Sequence, residues 1–275
     1  MAFELTNLLR TAIAGVWDAV CDGTSDHAAG EDIGAVPHLV FPYRGAYVRH
    51  VGREEIIAEP NQVLFSNSGE SLPVSHPVRG GDASLLLVIE DSVLRKLPRP
   101  DILREGEGIH FKRQNMRIDP RTQALVAMLR YSLRQEIAEP LEAESLALTL
   151  AQRAVGPRTS HVSDAGFAHQ RLVDRTKLVL TSNLARRWTL AEIAAEVGGS
   201  PVYLTQVFRQ VEGVPLYRYQ LRLRLAKALD LMGEREDLSA LSHELGFSSH
   251  SHFTAAFRQT YGRSPTEFRQ SVLKR

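Results

Sequence analysis

The residues able to do covalent or metal chemistry are few in this 275-residue chain, and their spacing does not gather them. There is one cysteine, Cys21, so no internal disulfide framework and no cysteine-rich zinc fold can form. His38, His50 and His76 stand singly and far apart, with no His-x-His among them to present to a metal. His250-x-His252 does occur, but within a helical pattern. Residues two apart on a helix point about 200° apart, so this pair cannot chelate one ion. No Gly-rich phosphate loop, Ser/His/Asp signature or Cys/His pair is visible. The chain therefore does not read as an enzyme, and no metal or cofactor is implied.

What remains is charge. Residues 169–275 hold 16 Lys+Arg against 10 Asp+Glu, a net +6, whereas residues 1–168 hold 17 against 22, a net −5. The whole-chain value of +1 hides this asymmetry. A basic C-terminal third on an acidic body suggests a polyanion as partner. A length of 275 residues is generous for one domain and comfortable for two. A 43% hydrophobic and 24% charged composition excludes general disorder. The longest apolar run, Ala124 to Leu129, is far short of the roughly 20 residues that span a bilayer. With no signal-peptide pattern at the N-terminus, a cytoplasmic location is expected.

The positioning elements follow from periodicity. Leu5 to Val20 fits an amphipathic helix, or a helix followed by a strand around Val16–Cys21; residues 23–35 read as a loop. From His38 the period shortens. Leu39-Val40-Phe41, Ala46-Tyr47-Val48, Glu55-Ile56-Ile57, Val63-Leu64-Phe65 and Leu85 to Ile89 are short apolar runs between turn signals, the pattern of a β-sandwich or barrel. After Pro120 the period becomes helical. Leu125, Met128, Leu129, Leu133 and Ile137 share a stripe that could cover the barrel or pair with its copy in a dimer. Residues 156–168 look like a linker.

The C-terminal third repeats itself. Leu190-Ala-Glu-Ile193-Ala-Ala-Glu-Val197-Gly198 recurs 48 residues later as Leu238-Ser-Ala-Leu241-Ser-His-Glu-Leu245-Gly246. Leu204-Thr-Gln-Val-Phe208-Arg-Gln recurs 49 later as Phe253-Thr-Ala-Ala-Phe257-Arg-Gln, each followed by a glycine, Gly213 and Gly262. Each unit is helix, Gly-containing turn, helix, the helix-turn-helix plan. Thr189 with Glu192 and Ser264 with Glu267 spell capping boxes. Ser200 before Pro201 is an N-cap, and Ser248 is its counterpart in the second unit. Pro215 to Met232 has room for one linking helix of about 27 Å, with Leu216, Tyr219, Leu223, Ala226 and Leu229 on its buried stripe. Two recognition helices held about 34 Å apart can enter successive major-groove segments on one face of B-DNA.

These residues resemble the AraC/XylS family of bacterial transcription regulators. The likeness rests on Leu190-x-x-Ile193-Ala194, Phe208-Arg209, Gly213-x-Pro215, Arg222-Leu223-x-x-Ala226, Gly246-Phe247, Phe253, Phe257 and Gly262-x-Ser264-Pro265-x-x-Phe268-Arg269. It departs at Gly199, where a larger residue is common after the turn glycine. A further, weaker match is the run from Ala58 to Glu70. The resemblance implies an α+β chain: a cupin-like β-barrel with trailing helices (1–160), a linker (161–169) and an all-α double helix-turn-helix domain (170–275).

The resemblance also implies site residues. Base edges would be reached by Val202, Tyr203, Thr205 and Gln206 in the first unit, and by His250, Ser251, His252, Thr254 and Ala255 in the second. Arg209 and Arg258, a turn further on, suit phosphate. A barrel of this kind can hold one small ligand; His38, Phe41, Tyr43, Arg44, Tyr47, Arg49, Phe65, Asn67 and His76 are its candidate lining. Expected partners are double-stranded DNA, a small-molecule effector, a second copy of the chain, and RNA polymerase if the regulator activates. A regulator controlled by a protein partner, and a metal cupin enzyme fused to a DNA-binding tail, are the alternatives.

Overall fold

The structure, a computed structural model, describes residues 3–24, 34–52, 54–70, 72–97, 102–104, 106, 108–156 and 165–273. Residues 25–33 of the expected loop and 157–164 of the expected linker stretch lie outside them.

The strand expected around Val16–Cys21 is present, but the residues before it form a second strand and not a helix. Strands β1 (Phe3–Arg10) and β2 (Ala14–Cys21) pair antiparallel. The turn is fixed by Thr11, whose hydroxyl accepts from the backbone N–H groups of Ile13 and Ala14. Leu5, Leu8 and Leu9 imitate helical spacing, but Trp17 folds over Gly15 so closely that a Cβ there would lie 2.5 Å from its ring. Strands β3 (His38–Arg44), β4 (Tyr47–Val51), β5 (Glu54–Ala58), β6 (Gln62–Ser66) and β8 (Asp82–Ile89) answer the five apolar runs. Two short strands, β7 (Val74–Ser75) and β9 (Asn115–Arg117), carry no periodic signal because they are too brief to show one.

The sheet orders are β1-β2-β8-β3-β6-β9 and β5-β4-β7. Apart from its edge strand β1, the large sheet is mostly buried on both faces, and alternation sorts its side chains. Val16, Leu39, Phe41, Val63, Phe65, Leu85 and Leu87 face one way, into a core closed by helices α2 (Pro120–Arg134) and α3 (Pro140–Val155); α1 (Asp91–Leu94) adds Leu94. Ala19, Val40, Leu64 and Leu86 face the other way, toward Tyr47 and Ala58 of the small sheet. The result is a cupin-like barrel.

Within the chain the α2 stripe is largely covered. Leu129 is buried in the barrel core, Leu125 and Leu133 pack against it, and Met128 packs against the core formed with the C-terminal helices. Ile137 lies beyond the end of the helix.

Seven helices complete the chain: α4 (Phe167–Ser182), α5 (Leu190–Val197), α6 (Pro201–Glu212), α7 (Leu216–Leu231), α8 (Leu238–Glu244), α9 (His250–Tyr261) and α10 (Pro265–Leu273). Helix α4 starts within the stretch expected to be linker. Helix α7 links the two units, and all five residues of its expected stripe are buried. The capping boxes of Thr189 with Glu192 and of Ser264 with Glu267 form. Ser200 caps α6. In the second unit the cap is Ser249, which accepts from His252 N–H, while Ser248 pairs with the His252 ring.

The barrel half and the C-terminal helices share a core. From α2, Ala127 and Tyr131 join Leu225, Ala228, Leu229, Phe253 and Phe257 of those helices. Gly233 is required there, since a Cβ would fall 2.2 Å from the Tyr131 ring. Around this core lie buried ions. Asp230 receives Arg44 at 2.7 Å and Arg130 at 2.9 Å. Arg130 also stacks 4.0 Å over the Tyr43 ring. Glu212 receives Arg117 at 2.7 Å and Lys177 at 2.8 Å. Burial works against the Lys177 charge, yet Glu212, Asp174 and Glu59 hold its pKa above the ordinary value. Tyr219 donates to Glu59 at 2.6 Å.

Candidate DNA interface and sensor cavity

Both recognition helices, α6 and α9, follow glycine turns with positive φ, +76° at Gly198 and +79° at Gly246. At Gly246 the backbone is indispensable: a Cβ would meet the Ala185 carbonyl oxygen at 2.2 Å. Each helix buries one face and presents the other. Leu204, Val207 and Phe208 are core in the first unit; Phe253, Ala256 and Phe257 are core in the second. Opposite them Val202, Tyr203, Thr205, Gln206 and Arg209 are exposed, as are His250, Ser251, His252, Ala255 and Arg258; Thr254 is half-buried. The side chains named for base edges therefore lie on the first turns of two exposed helices. Arg224 ties the units together, donating to the carbonyls of Leu184 at 2.7 Å and Arg186 at 2.9 Å beside the first and of Gly246 at 3.3 Å in the second.

A helix-turn-helix domain family matches residues 183–271. The probable transcriptional regulator LumQ of Photobacterium leiognathi is 30% identical over 227 residues, 79% of this chain and 86% of that protein. The chain belongs to the AraC/XylS family of transcription regulators. The similarity to LumQ extends well beyond the DNA reader into the sensor. By contrast, the transcriptional activator RhaR of Klebsiella pneumoniae is 33% identical over 49% of this chain and 46% of its own length. A solved AraC-type regulator from Chromobacterium violaceum is 25% identical over 40% of this chain and 98% of its own, with a TM-score of 0.37.

The second candidate site of this AraC-type regulator is a cavity of about 80 Å³ between the two sheets. Of the residues expected to line it, His38, Tyr47, Arg49 and His76 do. Phe41 and Phe65 point through the sheet into the helix-covered core, because alternation turns them away from Val40 and Leu64. Asn67 is bound to the backbone N–H of Phe111 at 2.7 Å. Tyr43 and Arg44 face the reader: Tyr43 donates to Asp18 at 2.6 Å, and Arg44 pairs with Asp230. These five assignments to the lining are corrected.

Arg49 is a buried charge in the cavity wall. It is 5% exposed and donates to the Phe65 carbonyl at 2.9 Å. Burial draws its pKa down, against support from Tyr47 and Glu70. Among the described residues no carboxylate forms an ion pair with it, and Glu70 is itself engaged by Asn67. A buried guanidinium without an ion partner is costly, and an anion in the cavity would relieve that cost.

The cavity also holds a cluster that spacing hid. The Cys21 sulfur lies 3.7 Å from His76 Nε2, and His76 Nδ1 lies 2.9 Å from Asp82. A Cys/His pair is thus present, assembled by strand register: Cys21 and Asp82 are cross-strand partners at the ends of β2 and β8.

His38 gives a pH prediction. Burial pulls its pKa from 6.5 down to about 4, although the Val36 carbonyl 2.9 Å from its ring works the other way. The folded chain keeps this imidazole neutral while the unfolded chain takes up a proton, so stability falls as pH drops from about 6.5 to about 4. The full loss is roughly 3 kcal/mol. Denaturant melts of wild type and His38→Asn across that window should show a flatter pH slope in the variant; parallel slopes would refute the assignment.

Proposed function

We propose that this regulator reads two successive major-groove segments with α6 and α9, acts as a homodimer, and is biased by a small anionic molecule held between its sheets. The exposure of both rows of candidate base readers, each above a sealed apolar core, carries the DNA half of this reading. Gln206 suits adenine through a bidentate pair, and Ala255 suits a thymine methyl. Arg209 and Arg258 suit phosphate. For the sensor half, Arg49 supplies the anchor for an anionic group, and Val40 and Leu86 supply apolar wall. A ligand can shift the regulator only by its differential affinity for two arrangements.

The test is selection of sites from a random DNA pool by the full-length protein over a salt series, repeated with small carboxylates. A two-box site whose affinity falls steeply with salt is expected. Gln206→Ala should cost about 1–3 kcal/mol and relax selection at one position. Arg258→Ala should weaken all sites alike and reduce the salt slope by about 1. A carboxylate response that Arg49→Met abolishes would support the sensor half. Unselective binding under every condition, or a response indifferent to Arg49, would refute the corresponding half.

A further inference from the structure

We propose that Cys21 and His76, with Asp82 behind the imidazole, form a binding site for a thiophilic divalent cation of the zinc class, its open positions turned toward the sensor cavity. The site does not depend on the effector or DNA-reading proposals.

The geometry is that of a metal pair. Two donors on a tetrahedral zinc, with bonds of about 2.3 Å to sulfur and 2.0–2.1 Å to nitrogen, stand about 3.6 Å apart. Cys21 Sγ and His76 Nε2 are 3.7 Å apart. Asp82 sits 2.9 Å from the other ring nitrogen. That is where a carboxylate fixes the tautomer and orientation of a metal-bound histidine. One donor atom from each of the three residues lies within 4.8 Å of the others.

The surroundings are built to hold this cluster. Cys21 and Asp82 face each other in the ladder between β2 and β8, and His76 follows β7. Gly81, at φ +71°, lets its strand close down: a Cβ there would meet the Cys21 carbonyl oxygen at 2.3 Å. All three side chains are buried, yet they line the cavity. Water, or a ligand's carboxylate, could complete the coordination from there. A divalent ion would replace the thiol proton and sit beside the carboxylate of Asp82. Sulfur and imidazole donors select zinc-like ions over magnesium or calcium.

The test needs no mutation to be specific, because Cys21 is the chain's single cysteine. Metal-free full-length protein is titrated with Co2+. A thiolate-to-cobalt charge-transfer band in the near ultraviolet should saturate at one equivalent and be bleached by Zn2+. Asp82→Asn should weaken binding about 10–100-fold while keeping the band. His76→Gln should weaken it at least as much. No band at millimolar Co2+ would overturn the site. So would a band of unchanged affinity in His76→Gln, or Zn2+ binding seen by calorimetry with no accompanying thiolate band.

Discussion

Replacing Asp230 with alanine is expected to lower the unfolding free energy by about 3–5 kcal/mol, the cost of breaking a buried ion pair from one side. Asp230 is buried, and its carboxylate is the shared acceptor for Arg44 and Arg130. Arg130 is itself 1% exposed, so removing the acid strands a guanidinium that water cannot reach. The surrounding contacts do not compensate. Arg130 keeps the Tyr43 and Tyr131 rings and a bond to the Asp230 carbonyl, none of which carries a full negative charge. Urea denaturation followed by circular dichroism measures the loss. A companion variant separates burial from pairing: Asp230→Leu with Arg130→Met removes both ions and should recover much of the loss. A single-mutant cost under about 1 kcal/mol would show that the pair is not held dry in solution.

The second large effect is Phe257→Ala, expected to cost about 3–5 kcal/mol. Phe257 is fully buried, with Phe253 at 5.8 Å, Tyr261 at 4.6 Å and Phe268 at 5.9 Å between ring centroids. Truncation empties the centre of the second unit, which the α9 recognition face depends on for its position. The functional signature should be lopsided. Affinity for a two-box site should drop toward that for a single box, with the first box still read, because α6 rests on its own cluster around Phe208. Melting curves and titrations on one-box and two-box DNA check both halves. Equal loss at the two boxes would mean that the units do not stand on separate cores.

The reader was legible in the sequence because its signals are local. Caps, turn glycines and helical stripes each involve residues within one or two turns, and the duplication repeats them. The one slip there, Ser248 for Ser249, follows from two adjacent serines either of which can cap. The hairpin at the N-terminus was not legible, because an edge strand with Leu5, Leu8 and Leu9 mimics a helix until its partner strand is known. In the cavity, alternation alone would separate His38 and Val40 from Leu39 and Phe41, but it could not say which set the helices cover. Least visible were the charges. Nothing in the local pattern marks Lys177, Glu212 and Asp230 as buried; the packing of the C-terminal helices on the barrel half encloses them. Cys21 and His76 are 55 positions apart, so only sheet register could bring them together.

Strand β3 belongs to both halves of the molecule. His38 and Val40 at its start form cavity wall, while Tyr43 and Arg44 at its end grip Asp18 and Asp230. Between them run only Phe41 and Pro42; β6 pairing has ended at Val40, and the ladder to β8 is irregular at Pro42, which has no N–H to donate. The cavity wall and the ion pair to the linking helix thus lie within one strand, only a few residues apart. The route from the space between the sheets to α7 is shorter across the Arg44–Asp230 bridge than along the covalent chain.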